Sequence, residues 1–202
     1  MVLLLFLISI YGFTQNNIEL FGGIPINWEN GKILGYDAKA QLTSISWGFG
    51  TAIPINKHIS LCVSDEIIFP QKLEISTGGE KTSVGRDAYK SLMGMSVLIG
   101  TSFNLFNDDQ GKFKIPLNVG FRWMWLMAST QYVSIFGSNF GLSAGIGTQF
   151  SIGERFYLTG RVMMYYDFYS FSTTKTAVKT TTISGAISSF GITPNIGIGI
   201  TF

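Results

Sequence analysis

The chain has 202 residues, the size of one domain, with 13% charged residues, 14% aromatic residues, 24 glycines, 5 prolines and a formal net charge of +2. So little charge supplies a water-facing surface poorly, since soluble domains carry roughly 25%, and with no basic block a nucleic-acid surface is excluded. The lone cysteine, Cys62, excludes an internal disulfide and a cysteine-based metal cluster and reads as a small strand residue.

Residues 1–15 (MVLLLFLISIYGFTQ) read as a secretory signal peptide, cut near Gln15, with 16–202 as the mature domain. The apolar run Val2 to Ile10 is too short to span a bilayer, which takes about 20 residues. An N-terminal strand or buried helix is the competing reading. No cysteine sits directly behind the run, so a lipoprotein anchor is not expected.

From there apolar residues recur at every second position, the period of a β-strand. Ile18 to Asn27 sets Ile18, Leu20, Ile24 and Ile26 against Glu19, Gly23 and Asn27. Gln41 to Ile55 and Ile59 to Phe69 repeat the pattern, as do Leu92 to Leu105, Lys114 to Met127, Asn139 to Ile152 and Phe156 to Phe168. The last stretch, Ile187 to Phe202, is the plainest: Phe190, Ile192, Ile196, Ile198, Ile200 and Phe202 alternate with Gly, Ser, Thr and Asn. About eight strands result, each of the length a tilted membrane strand needs. No apolar run after the leader reaches the length of a transmembrane helix.

The connections alternate too. Short ones fall at 56–58, 107–113 and 153–155; longer polar ones fall at 29–39, 71–90, 129–138 and 172–185. A closed barrel of eight strands has an interior just wide enough for side chains. The Gly, Ser, Thr and Asn face fits inside, whereas the Ile, Phe and Trp face would overpack it. The bulky face therefore meets lipid, whose lack of hydrogen-bonding partners forces the sheet to close. The expected fold is all-β: a closed antiparallel up-and-down transmembrane β-barrel with short periplasmic turns and longer external loops.

Leader, alternating strands, turn asymmetry and a final strand ending in Phe202 together resemble the small bacterial outer-membrane β-barrels of the OmpX, OmpW and OmpA-transmembrane type. The resemblance spans the mature chain. It implies residence in the bacterial outer membrane with membrane lipid around the barrel. It also implies recognition by the barrel-assembly machinery, through Ile196, Ile198, Ile200 and Phe202, which match that family's terminal signal.

Parity places Glu19, Glu66, Lys114, Arg122, Arg161 and Asp167 in the lumen. Depth counted up each strand pairs Glu66 with Arg122 and Glu19 with Arg161, because an unpaired charge in a narrow lumen costs several kcal/mol. Asp167 joins Tyr165 and Tyr169 in an upper polar layer. These charges form a structural plug or, alternatively, line a conduction path. Asp65 falls on the lipid face, which is unfavourable for a carboxylate, and is expected near the external interface where its strand leaves the bilayer. Trp28, Phe69, Trp125, Phe136 and Phe168 mark an outer aromatic girdle, and Phe103, Phe150, Phe156 and Phe202 an inner one.

Enzyme readings find little support. The only histidine, His58, sits in a short turn, and no HExxH, GxSxG, GxGxxG or P-loop occurs. Nothing calls for a cofactor or metal. A secreted soluble barrel holding an apolar ligand would need charged outward faces, which the polar positions do not supply. The expected role is structural or surface-interacting, with segments 71–90 and 172–185 meeting an external ligand or host partner. The alternative is a narrow porin-like channel or pathway for small apolar molecules, supported by Tyr165, Tyr169 and Phe171 near the outer lumen.

Overall fold

In the computed structural model, residues 17–33, 36–77, 79–108, 110–177, 179–185 and 188–202 are described. The expected leader, 1–15, lies outside them.

The described residues are almost entirely strand: β1 (Asn17–Gly23), β2 (Ile26–Ile33), β3 (Tyr36–Pro54), β4 (Ile59–Thr77), β5 (Glu80–Gly85), β6 (Ser91–Asn107), β7 (Phe113–Ser129), β8 (Val133–Ile152), β9 (Phe156–Thr176), β10 (Thr180–Gly185) and β11 (Ser188–Thr201). All neighbours pair antiparallel. β1 and β2 together form one span, broken at Ile24-Pro25, where proline withholds a ladder donor; both pair β11 on one side and β3 on the other. β11 also pairs β9, so the sheet closes on itself with eight spans. β5 and β10 are short flanking strands that extend the outer ends of β4 and β9.

The alternation sorts as lipid solvation requires. Leu20, Trp47, Ile99, Phe121, Ile146, Ile196 and Ile198 are exposed on the outside, whereas Ser44, Ser143, Arg122, Asp167 and Thr193 are buried inside. Ile196 is 77% exposed and Arg122 2%, an inversion of the usual inside-outside order that a bilayer explains. The outward Trp123 keeps its indole N–H satisfied by donating to Ser138 Oγ at 2.7 Å and stacks on Phe140 at 5.3 Å.

Ladder register measures the tilt. From Arg122, one direction passes Gly141, Asp167 and Ser189 to reach the first span at Glu29. The other passes Leu98, Ser64 and Gly50 to reach it at Glu19, ten residues away. Closing the sheet requires such a stagger, and the strands tilt accordingly.

Three expectations change. The segments expected as long external loops are largely ladder: β2 and β3 continue to Ile33 and Tyr36, β7 and β8 leave three residues between them, and 71–90 and 172–185 fold into the β4–β5 and β9–β10 hairpins. Their polar sequences carry no apolar alternation, which is why they read as loop. Second, a register shift at Phe140/Gly141 leaves Phe168 as an extra residue in β9. Such a bulge flips every later side chain, so Tyr169 is outside beside Phe140, and Phe171 packs with Phe136 instead of lining the lumen. Third, Asp65 stands on the outward row between Phe49 and Val97, yet it is only 4% exposed. It lies six residues from the periplasmic start of β4, which runs on to Thr77. Its neighbours cover it there, so it is not open to lipid.

Candidate functional site

The lumen has two storeys. The outer one is built around Arg122 on β7. Its Nη1 donates to Asp167 Oδ2 at 3.1 Å, its Nε donates to Ser96 Oγ at 3.2 Å, and its Nη2 lies 2.8 Å from Met124 Sδ. Ser189 Oγ donates to Asp167 Oδ2 at 2.8 Å, and the guanidinium lies over the Tyr165 ring at 4.2 Å. Arg122 and Asp167 are both buried and partnered, the condition under which a buried ion pair is tolerated.

The partner of Arg122 is thus Asp167, not Glu66 as strand-by-strand depth suggests. Local geometry explains the choice. Gly141 stands between Arg122 and Asp167 in the ladder, with no side chain to obstruct them. A Cβ there would come within 2.6 Å of Asp167 Cα. On the other side Leu98 faces Arg122, and Glu66 faces Ser96 and Gly48. Glu29 was missed altogether: it sits opposite Ser189, close enough to Arg122 and Asp167 to feel both charges, with Asn139 as a hydrogen-bond partner. Parity from the inward Asn27 would have found it had the first strand been carried past that residue. Ile68, Leu92 and Met124 are also buried, so the outer lumen is filled with apolar as well as polar groups.

Below lies a cavity of about 570 Å³, whose lining reaches from Tyr165, Ser96 and Glu66 down to Asn56 and Lys57 in the first periplasmic turn. Arg161 and Glu19 meet in its wall at 2.7 Å, and the Arg161 guanidinium lies over Phe21 at 4.5 Å. Lys114 lines the mouth without an ion pair among the described residues. Cys62 is a free thiol in the same wall. His58 is exposed in the turn, where its backbone N–H and that of Ile59 donate to Asn56 Oδ1 at 2.8 and 2.9 Å. Among the described residues no cluster of three or more His, Cys, Asp or Glu could hold a metal.

On the outer wall a groove of about 450 Å³ follows the β9 bulge, lined by Val97, Ile99, Phe121, Trp123, Phe140 and Phe168. Beyond the membrane the β4–β5 hairpin carries Lys72 and Glu74 at 2.7 Å, and this contact holds the Glu74 carboxyl below its ordinary range.

A closed antiparallel barrel with an apolar belt and a polar, ion-paired lumen defines an integral outer-membrane β-barrel. No family model and no curated protein sequence matches the chain. Solved structures do. The outer membrane protein OprG from Pseudomonas aeruginosa aligns over 93% of this chain and 95% of its own, with a TM-score of 0.64 at 10% identity. Neisserial surface protein A (NspA) aligns over 93% and 97%, with a TM-score of 0.59 at 12% identity. AlkL, solved by solid-state NMR in DMPC bilayers, aligns over 95% and 92%, with a TM-score of 0.57 at 14% identity. The likeness is one of fold. It agrees with the lipid-facing belt in placing the chain in the bacterial outer membrane.

Proposed function

We propose that the protein is a closed outer-membrane barrel that acts through its outer hairpins, as a structural or surface-interaction component of the cell envelope. The observation that carries this reading is the Arg122–Asp167 layer, a buried, partnered ion pair inside the lumen beside buried Ile68, Leu92 and Met124. In this reading the layer is a plug. The β4–β5 and β9–β10 hairpins present Lys72, Lys81, Lys175 and Lys179 above the bilayer, where an external ligand or host partner would meet them. During biogenesis Ile196, Ile198, Ile200 and Phe202 engage the barrel-assembly machinery.

Planar-bilayer recording tests the plug. The wild type is expected to pass no steady current, and Arg122→Ala to open a measurable one. A wild type that already conducts like the variant would make the lumen charges a path.

A second reading has the outer-wall groove in its favour: a pathway for small apolar molecules. It predicts that an apolar probe enters liposomes faster when the wild-type barrel is present, and that Phe168→Ala alters the rate. Equal rates with and without protein would remove it.

A further inference from the structure

Among the described residues, the inner storey of the lumen contains one carboxylate that no cation of the chain neutralises by contact. Glu66 is 6% exposed, faces the 570 Å³ cavity and leaves Oε1 without a hydrogen-bond donor. Both lumen guanidiniums are committed elsewhere, Arg122 to Asp167 and Arg161 to Glu19. Asn195, also buried and in the cavity wall, leaves Oδ1 unpartnered. A carboxylate withdrawn from water calls for a counter-charge. Thr51 Oγ1 in the same wall is also unpartnered, but a hydroxyl can donate or accept; Glu66 Oε1 and Asn195 Oδ1 only accept, so the partner they lack is a donor.

We infer that the periplasm-facing cavity binds a small organic cation, with a primary ammonium group set against Glu66. The volume lies in the usual range for small-molecule sites. An ammonium brings three donors on one centre, whereas a metal ion would lack ligands, since no group of three or more His, Cys, Asp or Glu occurs among the described residues. Lys57 and Lys114 near the mouth disfavour multivalent cations more than a monovalent amine. Lys57 is solvent-exposed, where salt screens its repulsion within about 8 Å. The barrel wall separates the cavity from bilayer lipid, so the ligand class is a free amine of the periplasm.

Cys62 lines the same cavity and reports its occupancy. The full chain in nanodiscs is treated with neutral methyl methanethiosulfonate while n-propylammonium is titrated in. The amine is expected to slow Cys62 modification saturably, and 1-propanol, of similar size but uncharged, to leave the rate unchanged. Glu66→Gln should raise the amine concentration for half-protection about tenfold, the loss of one charge-assisted hydrogen bond. Saturation-transfer NMR on the propyl methyl group gives the same contrast in the wild type without relying on the thiol or on the folding of a variant. Equal effects of amine and alcohol, no effect of either, or undiminished protection in a folded Glu66→Gln barrel would overturn the inference.

Discussion

The two storeys of the lumen solve one problem in different ways. In the outer one, Arg122 meets Asp167, Ser96, Met124 and Tyr165 with water excluded. In the inner one, Arg161 and Glu19 form a shorter contact in the wall of an open cavity, and each keeps more than a tenth of its side-chain surface exposed. Distance alone would rank the inner pair as the stronger. Burial reverses the order, because breaking a pair matters most when the abandoned charge has no solvent to turn to. On the plug reading proposed above, the outer layer fixes the barrel, whereas the inner one keeps an open cavity.

The comparison can be broken at several points. The largest effect is expected from Asp167→Ala, which strands the Arg122 guanidinium in a dry layer and should cost about 3–5 kcal/mol, read by urea unfolding in lipid vesicles. If Glu19→Gln costs as much, the two storeys are equivalent and the distinction fails; the expected figure is about 1 kcal/mol, because the cavity hydrates Arg161. Gly141→Ala sharpens the account of partner choice. Its methyl group would collide with Asp167 and should destabilise by about 1–3 kcal/mol, as overpacking does. A neutral outcome would mean that the glycine is incidental.

The smallest effect belongs to the outer hairpin. Its Glu74 carboxyl titrates below its usual value because of Lys72. The pair therefore contributes above the ordinary carboxylate range, and its contribution is lost as pH falls through the lowered value. Lys72→Ala should move the Glu74 titration upward in carboxyl-detected NMR with no change in the midpoint of global unfolding.

Much of this architecture was legible because alternation is a property of sequence. Ile198, Trp123 and Phe140 could be assigned to lipid and Arg122 to the lumen from parity alone, and register then brought Glu19 to Arg161. What parity could not supply was the bulge at Phe168, since one extra residue leaves no mark in a run of aromatics (MMYYDFYSF). Tyr169 and Phe171 were misplaced for that reason. Nor could it supply the stagger between strands, and counting depth strand by strand therefore favoured Glu66 over Asp167. The outer hairpins were hidden differently: STTKT and TTISG form a ladder without an apolar period, so they read as loop.

The seam between β1 and β11 has a consequence for how such a molecule comes into being. Asn17 lies opposite Thr201, so the first and last residues of the cylinder share a rung. The seam therefore forms only when the whole polypeptide is present, and a product truncated before Ser188 would have two raw edges, on β1 and β9, with no water in the acyl layer to satisfy them. Nonsense or frameshift lesions in the final strand should thus be as damaging as early ones. A pairing this distant along the chain also makes slow, late, cooperative maturation the natural kinetic signature of the protein.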